Sequence, residues 1–206
     1  MYILNFFFVY LYQMKKEMNI WFTSDTHYGH KNIAGKEVSR WTSGFRKFAS
    51  VQQMNEALIA NINKYVKEDD ILYHLGDFAF GDAKTIREFR NSLVCKNIHL
   101  ILGNHDQEIE DSLELQELFT SVGYVYTGYV GKQQFHLSHY SHRIWPKSHR
   151  GTIHLYGHSH GSIPDYGRSM DVGVDTHKDF RPYHINEIYT IMSKREVHKV
   201  DHHGES

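Results

Sequence analysis

Five short motifs carry side chains with a shared chemistry: Asp25-x-His27, Gly76-Asp77, Gly103-Asn104-His105-Asp106, His139 and Gly157-His158-x-His160. Each follows a stretch that reads as a β-strand, and open α/β sheets gather ligands beyond the C-terminal ends of their strands. Seven of these side chains, Asp25, His27, Asp77, Asn104, His139, His158 and His160, make a mixed oxygen and imidazole set. Donors of that kind suit borderline divalent metals such as Mn, Fe, Zn or Ni. A carboxylate can bridge two such ions, and two ions about 3.5–4 Å apart are a platform for in-line phosphoester hydrolysis. A water between them becomes hydroxide near neutral pH, while both charges neutralise the phosphoryl oxygens. His105 is left over from the set, and its neighbours aim it at a substrate rather than a metal.

The elements that must position these groups follow from periodicity. Asn19–Ser24, Ile71–Leu75 and Asn97–Ile101 are short apolar runs bounded by polar or glycine residues, the signature of buried strands. Between the first two, Val51, Met54, Leu58, Ile62, Tyr65 and Val66 recur at helical spacing. Ser50 is placed as the N-cap of that helix, and Gln53 completes a capping box. Ala83, Ile86, Phe89 and Leu93 predict a second helix capped by Asp82. Strand, helix, strand, helix, strand implies a parallel sheet with helices on its faces.

Beyond it, a short helix is expected from about Asp111 to Phe119 and another over Asn186–Met192. Strands are expected at Tyr124–Tyr129, Gln133–Ser138, Thr152–Tyr156, Ser169–Val174 and Glu196–Val200, with Gly131-Lys132 closing a hairpin.

Composition narrows the class. A chain of 206 residues with net charge −1 suits one domain and carries no signature of a nucleic-acid or membrane binder. Cys95 is the single cysteine, so no internal disulfide can form and thiolate zinc sites are excluded. This fits a reducing, cytoplasmic setting. There are 17 histidines, so position must decide which matter. His99, His136, His154 and His198 fall mid-strand or at alternating positions and read as ordinary side chains, and His202 and His203 lie in a polar tail. His139 is preferred to His136 and His142 as a ligand because it follows a strand.

Tyr2–Tyr12 is apolar and aromatic but too short to span a bilayer, and it lacks the flanks of a signal peptide. Residues 1–17 are therefore read as an extension that is either an extra β-strand or membrane-surface segment, or translation from an upstream Met, in which case Met14 or Met18 is the start. Residues 18–206 form a single domain.

The five motifs, in this order, resemble the signature of the calcineurin-like metallophosphoesterases. The run Asp25-Thr26-His27-Tyr28-Gly29-His30-Lys31-Asn32-Ile33 resembles a small bacterial and phage-type branch of that family. The resemblance covers about Met18 to Met192. It implies a four-layer α/β/β/α sandwich of two mixed sheets flanked by helices, with two divalent metals, Mn²⁺ foremost, at the sheets' shared edge. It also implies that Asp25, His27 and His160 hold one metal, that Asp77 bridges, and that Asn104, His139 and His158 hold the second. His105 would donate a proton to the leaving alkoxide or stabilise its charge, with Asp106 orienting it.

Two departures are visible. The longer Gly-Asp-x-x-Asp-Arg-Gly motif of some relatives is absent, since the chain runs Gly76-Asp77-Phe78-Ala79-Phe80-Gly81-Asp82, which argues against phosphoprotein substrates. Cys95 stands where a turn glycine is expected, a matter of packing.

The function expected is hydrolysis of a small phosphodiester of nucleotide type, without a protein or nucleic-acid partner. The alternatives are a phosphomonoesterase or pyrophosphatase on the same site, or a binding scaffold that kept the fold and lost turnover; the presence of His105 weighs against the last. His30 and Arg143 are expected to contact substrate, with Tyr140 and Arg150 as further neighbours of the motifs. Trp41, Phe45 and Phe48 are expected in the core in preference to a base-stacking wall.

Overall fold

The structure, a computed structural model, describes residues 19–36 and 46–199. The expectations for residues 1–17, Trp41, Phe45, His202 and His203 lie outside these residues. In chain order the strands are β1 (Ile20–Thr23), β2 (Ile71–His74), β3 (Asn97–Ile101), β4 (Ser121–Gly123), β5 (Val125–Val130), β6 (Gln133–Ser138), β7 (Ile153–Tyr156), β8 (Ser169–Asp171) and β9 (Tyr183–His184). The α-helices are α1 (Lys31–Ala34), α2 (Val51–Tyr65), α3 (Ala83–Ser92), α4 (Gln107–Glu110), α5 (Leu113–Gln116) and α6 (Ile185–Met192).

Alternation along each strand sorts the core into layers. Trp21, Leu72 and Leu100 face a cluster that includes Ile62, Ile86 and Phe89 of α2 and α3. Their neighbours Phe22, Tyr73 and Ile101 face the opposite way, onto Phe135, Leu137, Ile153 and Leu155 of the second sheet. The first sheet runs β4-β3-β2-β1-β9 and the second β5-β6-β7-β8. β1 to β4 are mutually parallel, and β9 joins β1 antiparallel. β5 and β6 form the hairpin, while β6, β7 and β8 are parallel. Two mixed sheets with flanking helices therefore make an α/β fold, and α6 adds Ile185, Ile188 and Met192 to the layer between the sheets.

Local chemistry explains the element ends. Ser50 Oγ accepts from Gln53 N–H at 3.1 Å, as a cap should. The Gln53 side chain returns the bond to Ala49 N–H at 2.8 Å, one residue before the position a strict capping box uses. Asp82 caps α3 through Thr85 N–H. Cys95 is buried, with Sγ donating to Asp70 O at 3.3 Å, so it packs where the turn closes. Phe48 joins Ile33, Met54, Leu58 and Val174 in a smaller core cluster.

Three expected elements differ. The helix expected at 111–119 is a single turn, Leu113–Gln116, set off from an earlier turn at Gln107–Glu110 because Ser112 Oγ accepts Leu115 N–H and starts anew. The strand at 169–174 ends at Asp171, whose carboxylate takes Gly173 N–H at 2.7 Å and bends the chain into a 3₁₀ turn at Val174–Thr176. The segment 196–199 forms no strand: His198 stacks on Tyr166, and Arg195 reaches Asp165 and the Ser169 carbonyl of β8. β4 and β9, only three and two residues long, carry no periodic signal.

Phe22 and Phe135 stack at 5.3 Å between the sheets, both fully buried. Phe135→Ala should cost about 3–5 kcal/mol in urea unfolding of the metal-free protein; a loss under 1 kcal/mol would mean the two sheets do not share one core.

Candidate metal centre

The backbone at the strand ends leaves its ordinary conformations. Asp25, His27, Asp77, His158 and His160 take φ of 55°, 46°, 54°, 64° and 47°. Left-handed backbone is uncommon for side-chain-bearing residues and costs on the order of 1–3 kcal/mol each. Among the described residues only Lys147 and Phe180 share it without being expected ligands. Cross-loop hydrogen bonds hold this strain in place. Asp25 N–H donates to Gly76 O at 3.0 Å, and His27 N–H to Asp77 O at 2.9 Å. His158 N–H donates to the Asp25 carboxylate at 2.9 Å, and His105 N–H to Asp77 Oδ1 at 2.9 Å. Glycine permits the close approach: a Cβ on Gly157 would lie 2.0 Å from Ser24 Oγ, and one on Gly103 would lie 2.3 Å from Asp77 Oδ1.

All seven expected ligands converge. The donor atoms of Asp25, His27 and His160 lie within 4.8 Å of one another, as do those of Asp77, His139 and His158. Asp77 Oδ2 joins the two groups, 3.3 Å from His27 Nε2 and 3.5 Å from His139 Nε2. Asn104 Oδ1 is 3.1 Å from His139 Nε2. His105 Nδ1 or Nε2 also falls within 4.8 Å of the His27 and Asp77 donors, on the open side of the centre.

The donor set fits cations. His139 Nδ1 donates to Leu75 O at 2.7 Å, and burial lowers the ring's pKa, so the neutral ring turns a lone pair on Nε2 towards two oxygens. Lone pairs facing one another across such distances repel unless a positive ion stands between them. Burial pushes the Asp25 carboxyl up to about 8, only partly offset by His160 beside it. Among the described residues no Lys or Arg forms an ion pair with Asp25 or Asp77. Burial, reinforced by Arg46, also holds His27 well below its usual pKa, which keeps the imidazole available as a neutral ligand.

Several supporting groups carry no sequence signal. Arg46 is buried; it grips Asp175 through two bonds of 2.8 Å and donates to Thr26 O at 2.8 Å and to Asp25 O. Asp175 Oδ2 accepts from His160 Nδ1 at 2.7 Å, which leaves His160 Nε2 for a metal. Burial alone would lower the His160 pKa, but the carboxylates of Asp175 and Asp25 raise it, a measure of the negative potential there. Arg46 and His160 in turn hold Asp175 low against its own burial. His74, fully buried, donates from Nε2 to Thr26 Oγ1 at 2.8 Å, since that hydroxyl donates to Phe78 O. Such contacts join residues more than a hundred positions apart in the Arg46–Asp175 case, so no local pattern marks them.

Other expected site residues fall differently. Asp106 does not orient the His105 ring. Its buried carboxylate accepts backbone N–H from Gly103 (2.8 Å), Asp77 (2.8 Å) and Phe78 (2.9 Å), clamping the β2 and β3 loops together. Burial raises that carboxyl to about 7. His30 is buried against Phe80, with ring centroids 3.9 Å apart, and backs His27 and His105 instead of meeting solvent. Arg143 lies over Tyr166 at 5.2 Å and lines a cleft with Trp145 and His198, apart from the ligands; the cation–π contact draws it there. Arg150 lines another cleft, with Tyr129 and Lys132. Tyr140 does reach the centre, its hydroxyl 3.4 Å from Asn104 Oδ1. His136 and His142 bond each other at 2.9 Å on the outer face of the second sheet, beside His154.

Two measurements follow from this geometry. Asp175→Asn should weaken one of two Mn²⁺ binding events about 10–100-fold by calorimetry while sparing the other; equal weakening of both would contradict selective support of His160. His158→Gly should raise the metal-free protein's stability by about 1 kcal/mol, through relief of left-handed strain, while removing one ion from the metal count. Lower stability without metal would contradict the strain.

The comparisons with known proteins agree with this picture. The chain matches the profile of the calcineurin-like phosphoesterase family over residues 18–201. An uncharacterised protein of Methanocaldococcus jannaschii is 30% identical over 187 residues, spanning 86% of this chain and 93% of that one. A protein of Mycobacterium phage D29 is 27% identical over 192 residues, spanning 80% of this chain and 92% of its own. A solved structure from Aquifex aeolicus, of unknown function, superposes with a TM-score of 0.60 at 22% identity, covering 84% of this chain and 99% of that one. With the family profile spanning nearly all of the described fold, including the loops that carry the Asp and His clusters, the chain belongs to the calcineurin-like phosphoesterases, metal-dependent hydrolases of phosphoric esters.

Proposed function

We propose that this chain is a dinuclear metal-dependent phosphodiesterase acting on small, nucleotide-type diesters. The observation that carries the reading is the place of Asp77 Oδ2, within 3.5 Å of an imidazole nitrogen on either side. Asp25, His27, His160 and Asp77 would hold one divalent ion, and Asp77, Asn104, His139 and His158 the other, with Mn²⁺ the ion proposed. Bound there, such ions supply positive charge for the phosphoryl oxygens and acidify a water to serve as nucleophile near neutral pH.

The chain's own groups do the rest. As water oxygen bonds to phosphorus and the ester P–O bond breaks, His105 gives a ring proton to the departing alkoxide, and the water's proton restores the ring. Asp77 Oδ1 holds the His105 backbone N–H, and His27, His30 and Phe80 surround its ring. The Asp106 clamp keeps the two loops in register.

Preference for a diester over a monoester or pyrophosphate rests on charge. Among the described residues Arg46 is the one Lys or Arg hydrogen-bonded to a ligand residue, and its donors are spent on Asp175 and backbone carbonyls. A diester brings one negative charge; a monoester or pyrophosphate brings more, and among the described residues no Lys or Arg besides Arg46 is hydrogen-bonded to a ligand residue. We assign the hydrolase domain to residues 18–206 and the protein to the cytoplasm. The reducing setting suited by the lone, buried Cys95 supports the latter, and no described helix is long and apolar enough to cross a membrane.

The test is hydrolysis of bis-p-nitrophenyl and mono-p-nitrophenyl phosphate by the full chain with Mn²⁺. The diester should be favoured, chelator should abolish turnover, and His105→Ala should lower kcat about 10²–10⁴-fold with two ions still bound. Loss of metal in that variant would make His105 a ligand, and faster monoester turnover would favour the monoesterase reading.

A further inference from the structure

The centre is rimmed by two aromatic rings that the fold leaves in solvent. Phe80 is 41% exposed and Tyr140 49% exposed. Tyr140 lies over His158 and His139, with centroids 4.7 and 5.1 Å away, on the side of Asn104. Phe80 lies on the His105 side, its centroid 5.4 Å from that imidazole at an interplanar angle of 66°. An exposed phenyl ring costs hydration free energy unless something covers it, and this one is not on a wandering loop. Phe80 N–H donates to Tyr28 O at 2.8 Å, next to a β-bridge between Tyr28 and Ala79. Its ring rests on the buried His30 ring at 3.9 Å and 29°. The scaffold thus holds an open aromatic surface beside the proton donor.

We propose that Phe80 is a specificity-determining residue: it stacks on a planar aromatic substituent of the phosphoester, such as a nucleobase, carried by the group that leaves toward His105. The inference rests on His105 as the leaving-group donor in the proposed function. A departing oxygen within reach of His105 brings its substituent against the exposed aromatic ring beside that imidazole, which is Phe80. Stacking reads any base by its π-face, so the selection is for planarity over base identity.

The test compares two ligands that share a sugar phosphate and differ in the base, adenosine 5′-monophosphate and ribose 5-phosphate, binding to the Mn²⁺-loaded full chain by calorimetry. Stacking should make the nucleotide bind about tenfold tighter. Phe80→Ala should bring the ratio of the two Kd values close to one, and Phe80→Trp should restore it. The two-ion metal content, measured alongside, separates lost stacking from a damaged centre. Equal affinities in the wild type, or a ratio unchanged by Phe80→Ala with both ions bound, would overturn the inference. Because binding is read without turnover, a protein that prefers the nucleotide yet hydrolyses no phosphoester would sink the proposed function and leave the stacking role standing. One that hydrolyses diesters yet ignores the base would do the reverse.

Discussion

One carboxylate oxygen governs the molecule's design. Asp77 Oδ2 stands between His27 Nε2 and His139 Nε2, and its partner oxygen holds the backbone of His105. To bring an acid from the first sheet between imidazoles of both sheets, the chain must reverse sharply right after its strands. It does so with side-chain-bearing residues in left-handed backbone at Asp25, His27, Asp77, His158 and His160. Strain of that kind persists only where surrounding bonds over-determine it. Here those bonds run from loop to loop: Asp106 across β2 and β3, His158 N–H onto Asp25, and Ser24 paired with Gly173.

Around this junction the protein controls which imidazole nitrogen carries the proton. His139 is fixed by a backbone carbonyl of the opposing sheet, and His160 by a carboxylate that is itself held by Arg46. Both arrangements leave Nε2 as the donor to a cation, and burial keeps His27 and His139 neutral. The two halves of the centre are supported unequally. The His160 side depends on a buried ion pair that ties together the β1 loop, Arg46 and the 3₁₀ turn after β8. The Asn104 side faces solvent and Tyr140.

Much of this was legible in the chain. Apolar runs ending on Asp25, Asp77 and Asn104 exposed the parallel sheet, because a buried strand must be apolar on both faces and its end is the first place polar groups can stand. Helical spacing located α2 and α3 for the same reason of one-sided burial. Short or unpatterned elements escaped: β4 and β9 draw on neighbouring strands for their existence, and the 196–199 segment was pulled out of strand form by stacking on Tyr166. Arg143, expected at the centre because it stands four residues from a ligand, lies in the loop after β6 and turns to Tyr166 instead.

What the sequence alone determined is the chemistry: which acids, amide and imidazoles stand at strand ends, and hence a family of divalent-metal hydrolases. Residue types and their order suffice for that, because each motif is local. Only the tertiary structure decided which oxygen lies between the two sets of ligands, that Asp106 clamps loops, that Asp175 and Arg46 stand behind His160, and that Phe80 stays open beside His105. These are relations across tens to more than a hundred residues of chain, set by how the two sheets pack, and no spacing along the sequence encodes them.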